Sequence, residues 1–434
     1  MKQLTRLFIP ICLETLFYML SGMVDTLMLS AVGDYAVGAV GTANSYIGIF
    51  IIMFSIISSG MVSVMTQNIG AGRPGVAYQA RQLGLLFNAV AGVLMAVFLF
   101  SGAGAILRMV GIADALYEPA LIYLKNVGGG CILNAVIPIF SSYLRAFGYT
   151  KQPLYATIVG NIANFVMNAV FLFVLHKGVA GVATATVISK ILNLCIVLYF
   201  SHKLISAKNS TERIANKTVL GQIVKVGLPS ACETALYNVA MMLVIRFLNQ
   251  MDAEGLNVTA RSYTATISNF SYCVGAALAQ ANAIMTGWHI GAGELEECDR
   301  GTKRAAFVGV CVAVCMETAI VLGSGFIMPL FTDNPEMTAL VRKLLAIDIV
   351  LEIGRVTNLV FGQALKTSGD AVFPAVIAAV FMFVFAVGGT WLFGISMGLM
   401  AVGAYIGLAS DECVRAVGMV WRWKTGKWRT KKLV

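Results

Sequence analysis

Charge is scarce in this 434-residue chain. Asp, Glu, Lys and Arg make up 12% of it, against about 25% in a typical soluble domain. That leaves too little polar surface to wrap a core of this size and excludes a soluble globular enzyme. Histidine is also scarce: the three present, His176, His202 and His289, fall at predicted loop edges. No His/Cys/Ser constellation stands within the apolar runs, so the chain reads as a non-enzyme. There is no Walker A motif, and Gly70-Ala-Gly-Arg-Pro-Gly75 lacks both a preceding strand and the GK[ST] ending. The chain therefore does not power itself by ATP hydrolysis. Ser368-Gly-Asp370 has no matching second aspartate in a span, which argues against an intramembrane aspartyl protease. No resident cofactor is implied. The nine cysteines are scattered through apolar segments and read as small packing residues, not as a disulfide or metal framework.

What the chain has in abundance is apolar sequence: 58% hydrophobic residues and a mean hydropathy of +0.82. A helix needs about 20 apolar residues to cross a bilayer. Twelve such segments are predicted, near 7–30, 36–62, 83–107, 118–141, 154–175, 179–202, 222–250, 256–283, 304–330, 341–365, 372–394 and 398–421. Turn chemistry separates them, for example Gly72-Arg73-Pro74-Gly75 and Thr332-Asp333-Asn334-Pro335. The first run is too long for a signal peptide and no small-residue cleavage site follows it, so it reads as a span. The fold class is an all-α membrane protein in contact with lipid.

The net charge of +10 sits in short loops and in the tail WRWKTGKWRTKK, an arrangement that favours anionic headgroups over nucleic acid. The tail reads as an interfacial anchor. With a cytoplasmic N-terminus, roughly 20 cations fall in cytoplasmic loops against about five opposite. Both termini are expected on the cytoplasmic side of the cell membrane.

The sequence repeats itself. Pro10-Ile-Cys-Leu-Glu14-Thr15 returns as Pro229-Ser-Ala-Cys-Glu233-Thr234, 219 residues on. Ile69-Gly-Ala-Gly72 returns as Ile290-Gly-Ala-Gly293, and Leu144-Arg145, Gly148 and Pro153 return as Leu365-Lys366, Gly369 and Pro374, all offset by 221. This implies duplication of a six-helix unit. The expected organisation is a first lobe at 1–202, a linker at 203–218, a second lobe at 219–422 and a basic tail at 423–434. An even number of spans keeps both copies in one orientation, so the lobes are expected to be related by a pseudo-two-fold axis along the membrane normal.

Ionisable residues inside spans are costly, and each is a functional candidate. The first half offers Glu14, Asp25 and Lys190. The second offers Glu233, Arg246, Arg261, Glu317, Asp348, Glu352, Arg355, Asp411, Glu412 and Arg415. Asp348, Glu352 and Arg355 share a helix face, and Glu412 and Arg415 are i,i+3 neighbours. This group reads either as a register-fixing ion-pair network or as a proton or ion relay. Asp25 has no cation within one turn of its own helix. It must be protonated, bind a cation such as Na⁺, or find a partner on another helix. Asn161, Asn164, Asn168, Thr184 and Thr186 supply amide and hydroxyl groups suited to a cation or a proton-linked network.

Several stretches resemble the multidrug and toxic compound extrusion transporters. They are Val24-Asp25-Thr26 through Gly33; Leu144-Arg145-Ala-Phe-Gly148 through Pro153; Asn164-Phe-Val-Met-Asn168; Gly178-Val-Ala-Gly181 through Thr186; Glu352-Ile-Gly-Arg355-Val-Thr-Asn358; and Asp411-Glu412-Cys-Val-Arg415. The resemblance implies twelve helices in two lobes. It also implies export of amphipathic, cationic organic molecules in exchange for Na⁺ or H⁺ by alternating access. The first-lobe cation site would map onto Asp25, Asn164, Asn168 and Thr186. One branch of the family has an aspartate where this chain has Asn168. A functional glutamate on the seventh helix would map onto Glu233, joining Asp348, Glu352, Arg355, Asp411, Glu412 and Arg415 as a second-lobe relay. The partners expected are a small organic substrate and the bilayer, with the protein a monomer. The alternative is a lipid-linked oligosaccharide flippase of the same superfamily.

Overall fold

The structure is a computed structural model and describes residues 2–205, 212–252 and 254–434, the side chains of Asp34 and Val110 excepted. Among these residues it is entirely helical, with thirteen α-helices. The first seven are α1 (Lys2–Ser30), α2 (Asp34–Gly70), α3 (Pro74–Val110), α4 (Asp114–Gly129), α5 (Cys131–Ala146), α6 (Lys151–Ala169) and α7 (Gly178–Leu204). The remaining six are α8 (Asn216–Met251), α9 (Leu256–Ala292), α10 (Leu295–Ile327), α11 (Pro335–Ser368), α12 (Val372–Phe381) and α13 (Met400–Lys424). α6 runs on through a π-helical turn at Val170–Val174, and α12 through π-helical segments at Met382–Val387 and Thr390–Ser396.

Each of the twelve expected spans falls on one of these helical runs. The fourth span, expected as one helix, is a pair: α4 and α5 meet at Gly130 with a 42° bend. Eight helices are long and apolar enough to cross a membrane, or nine with that pair. α9, α11 and α13 fall outside this composition test. α9 is rich in Ser, Thr and Asn, and α11 and α13 carry the ion pairs described below. Apolar side chains in helical register, such as Leu322, Phe326 and Leu330, are largely exposed, as suits a hydrocarbon surround.

The glycines among the repeated sequence landmarks are helix stops. Gly72 and Gly293 take φ of 74° and 79° just past the ends of α2 and α9, and Gly148 and Gly369 take 84° and 98° after α5 and α11. A side chain at such angles is strained, and glycine is not. The Asn334-Pro335 signal works as read: Asn334 Oδ1 accepts from the Glu336 and Met337 amides at 2.9 and 3.3 Å, capping α11.

The chain divides into two compact units. One is Ile9–Gly227; the other is Leu228–Val434 with the residues up to Phe8. In the first unit the segment before α8 is held by Gln79, whose Nε2 donates to the Ile214 carbonyl at 2.7 Å while its Oε1 accepts from the Ile214 amide. Residues 206–211 of the expected linker lie outside the described residues. Within the first unit α2 packs on α3, α4 and α5, while α7 packs on α4, α5 and α6. In the second unit α11 is central and packs on α9, α10 and α13.

The tail is not the free interfacial anchor expected. Trp423 and Trp428 are buried and stacked, with ring centroids 4.2 Å apart, and Trp423 Nε1 donates to Asp299 at 2.8 Å. Of the three tail tryptophans only Trp421 is exposed. Asp370 draws the tail in. It is almost fully buried and accepts from Arg422 at 2.7 Å and Lys431 at 2.9 Å. A buried carboxylate with two cations is satisfied where lipid headgroups would otherwise have to serve.

Candidate functional site

The first-lobe residues singled out in the sequence come together. Asn168 and Asn164 lie one turn apart on α6, so their amides share a face. Asn168 Nδ2 donates to Asp25 Oδ1 on α1 at 2.8 Å and to Asn164 Oδ1 at 3.0 Å. Asn164 in turn reaches Ser189 Oγ on α7 at 3.5 Å. Asp25 is half-buried, Asn164 and Asn168 are buried, and Asn168 Oδ1 has no hydrogen-bond partner among the described residues. Thr186 donates to its own helix at the Val182 carbonyl, 2.9 Å away, and lies beside the Tyr123 hydroxyl. Asn161 turns elsewhere, donating to the Phe17 carbonyl at 3.0 Å. Lys190, one turn beyond Thr186, donates to Asn134 Oδ1 at 2.8 Å and lies close enough to Asp25 to act on it electrostatically. Lys190 and Asn134 were not placed in this site by sequence. The signal available was an ionisable residue in an apolar run, which names the residue but not its neighbour.

Glu14 is not part of this cluster. It pairs with Arg145 at 2.6 Å.

In the second lobe α11 and α13 approach closely. A side-chain carbon at Gly354 would lie 2.7 Å from the Cys413 backbone nitrogen, so only glycine lets the helices meet here. The close approach builds a continuous ladder. Arg415 binds Asp411 at 2.7 Å and Glu412 at 2.8 Å; Glu412 Oε1 lies 3.7 Å from Arg355, and Arg355 pairs with Glu352. Asn358 donates to Glu412 at 3.0 Å. Asp348 borders the same cavity of about 270 Å³, with Arg261, Tyr237, Tyr272 and Tyr405. Glu233 pairs with Lys366 at 2.8 Å, still close enough to Arg415 to act on its charge. Arg246 is exposed on α8. Glu317, named as an ionisable candidate but given no role, is buried with its carboxylate beside those of Asp348 and Glu352.

Two helical lobes with polar clusters inside otherwise apolar spans define a polytopic membrane transporter. The sequence profile of the MatE family matches residues 10–170 and 229–392. The chain belongs to the MatE family, the multidrug and toxic compound extrusion transporters. It is 32% identical over 428 residues to "Uncharacterized transporter YisQ" of Bacillus subtilis (strain 168), covering 97% of this chain and 94% of that protein. It is 20% identical to "Probable multidrug resistance protein NorM" of Thermotoga maritima, covering 100% and 94%. Among solved structures it resembles an outward-facing multidrug resistance MATE transporter of the MOP superfamily (TM-score 0.85, 21% identity, 98% and 96% covered). It also resembles a MATE transporter in the bent conformation (TM-score 0.85, 20% identity, 99% and 96% covered).

Proposed function

We propose that this transporter is a secondary active antiporter. It exports amphipathic organic cations in exchange for Na⁺ or H⁺, acts as a monomer in the cell membrane and keeps both termini cytoplasmic. The observation that carries the reading is the Asp25–Asn168 hydrogen bond in a cluster of buried amides. An ionised Asp25 accepts from the Asn168 amide. A proton on Asp25 turns that acceptor into a donor, and Asn168 Oδ1, buried without a partner among the described residues, is the acceptor such a proton needs. A Na⁺ ion would instead use the carboxylate and the amide oxygens together. Either event rewires α1 against α6. An ion drives alternating access only through such a difference between states. The relatives bearing multidrug names and the 21 methionines, flexible enough to fit varied ligands, support the substrate class.

The test is uptake of a cationic dye by proteoliposomes under separately imposed Na⁺ and H⁺ gradients. Wild type is expected to respond to one of them, and Asp25→Asn to neither. Equal gradient-driven uptake by Asp25→Asn and wild type removes Asp25 from coupling.

A further inference from the structure

We propose that the groove between α6 and α7 binds one anionic phospholipid, with an acyl chain against its apolar walls and the phosphate held by Lys151 and Lys203. The site is independent of what is transported and of which ion is exchanged.

The groove has a volume of about 510 Å³ and is lined by Tyr155 and Val159 of α6 and by Cys195, Ile196, Tyr199 and Phe200 of α7. Its lining is almost wholly apolar. Tyr155, Val159 and Tyr199 are exposed, and a contiguous apolar surface of this kind on a membrane span faces lipid. That much describes many lipid-facing surfaces. The charge at one end sets this groove apart.

α6 and α7 pack on each other across a short connection, which makes them antiparallel. Their register follows from Gly160, where a side-chain carbon would lie 3.5 Å from Asn193 Cβ. Lys151 starts α6, and Lys203 stands one residue before the end of α7. At 1.5 Å of rise per residue, Lys151 lies about 14 Å from the level of Gly160, and Lys203 about 15 Å from that of Asn193. The two lysines therefore reach the same depth from two different helices. Each stands one turn from a groove tyrosine, Lys151 from Tyr155 and Lys203 from Tyr199. Lys203 Nζ donates to the Tyr199 hydroxyl at 3.0 Å, which holds the ammonium over the mouth of the groove. Both lysines are exposed, and neither has an ion pair among the described residues.

Two ammonium groups with spare donors at the polar end of an apolar groove fit the phosphate of a lipid whose chain lies in that groove. The tyrosines suit the headgroup boundary, with rings among the chains and hydroxyls at the polar level. Inorganic phosphate would leave the apolar walls uncovered. A zwitterionic lipid carries its own cation beside its phosphate, whereas an anionic lipid leaves the phosphate to the lysines. The duplication supplies an internal contrast. The positions 221 residues on from Lys151, Tyr155 and Val159 are Val372, Val376 and Val380. These valines are also exposed, yet bring neither a cation nor a phenol. The headgroup clamp belongs to the first lobe alone.

The test uses purified full-length protein in lipid nanodiscs, with phosphatidylglycerol competing against phosphatidylcholine of the same chains. Native mass spectrometry counts the lipids retained, and the Tm is read in discs of each composition. Wild type should retain at least one phosphatidylglycerol in severalfold preference to phosphatidylcholine and melt higher when it is present. Lys151→Gln combined with Lys203→Gln should remove most of that preference and leave the Tm in pure phosphatidylcholine unchanged. Val159→Trp fills the groove, keeps both lysines and should lower retention severalfold; it decides alone should the double variant melt low in phosphatidylcholine. Lys427→Gln, at an exposed lysine of the tail, should change nothing, and excess inorganic phosphate should not displace the lipid. The site is overturned by equal retention of the two lipids in wild type, by an unchanged preference in the lysine double variant or in Val159→Trp, by an equal loss in Lys427→Gln, or by displacement with inorganic phosphate. Dye transport is not part of the readout, so failure here is separable from failure of the antiport reading.

Discussion

The two lobes share a frame and differ in what they enclose. Each has a glutamate four residues after a proline in its first helix, and each glutamate pairs with a cation near the end of α5 or α11. The distances are 2.6 Å for Glu14–Arg145 and 2.8 Å for Glu233–Lys366. Each has glycine helix stops at matching positions. Inside, the first lobe holds a single carboxylate among amides, with Lys190 nearby. The second holds five carboxylates and three guanidinium groups. Duplication kept the residues that hold helices in register and stop them. The interiors, where a polar group need only satisfy its own neighbours, diverged.

The comparison breaks most visibly at Arg415. Arg415→Leu should leave Asp411 and Glu412 buried without their main counter-ion, at a cost of roughly 3–5 kcal/mol. Thermal melting and expression yield check it, and a Tm within a degree of wild type would show that the ladder is not structural. The first lobe has no equivalent dependence. Asp25→Asn removes a charge that no ion pair holds in the first lobe, and should melt within a few degrees of wild type while losing coupled uptake.

Next in size are the matched pairs. Glu14→Gln and Glu233→Gln each remove one partner of a half-buried pair. Each should cost about 1–3 kcal/mol, less than a fully buried pair because solvent still screens it. Double-mutant cycles with Arg145→Leu and Lys366→Leu should give similar coupling energies in the two lobes. A coupling near zero in one of them would assign that glutamate to function instead of to the frame.

The smallest effect separates the lobes again, at Asp370, whose position in the first repeat is taken by Tyr149. Burial pushes the Asp370 carboxyl up, but hydrogen bonds from Arg422 and Lys431 outweigh it and hold the group below the usual carboxylate range. A depressed carboxylate stabilises the folded form above its unfolded pKa, near 3.9, and that stability is lost as pH falls through the lower folded value. The tail should therefore stay docked from pH 5 to 8 and release only below about pH 4. Asp370→Asn should loosen it at neutral pH by about 1 kcal/mol, since an amide still accepts one hydrogen bond. Quenching of tryptophan fluorescence follows the release of Trp423 and Trp428.

Much of the site was legible because a charge in an apolar run is conspicuous. Asp25 was chosen on that ground, Asn164 and Asn168 as amides on one helix face that could answer it and that the family resemblance also implied, and their hydrogen bonds join them. The same rule picked out Glu317 and Lys190 without saying what they face, because helix periodicity orders residues along one helix and says nothing across helices. It misjudged the tail. A run of Trp and Lys reads the same whether its rings meet lipid or one another, and the stacking of Trp423 on Trp428 depends on Asp299 and Asp370, 124 and 52 residues away from their tail partners.

The sequence by itself determined that the chain is helical, roughly where the apolar runs lie, and the duplication; the longer reach of α2 and α3 and the break between α4 and α5 at Gly130 came only with the structure. Apolar run length, glycine stops and a repeated offset are local properties of the chain, and for continuous apolar runs of about 20 residues the bilayer selects the helix, which satisfies its backbone within the segment. Tertiary structure alone decided which charges are neutralised. Arg355 on α11 reaches Glu412 on α13, Lys366 on α11 holds Glu233 on α8, and Glu317 on α10 is brought against Asp348 and Glu352 on α11 without an ion pair among the described residues. Coulomb energy depends on distances between helices and on the dielectric around them, and neither is written in the spacing of residues along the chain.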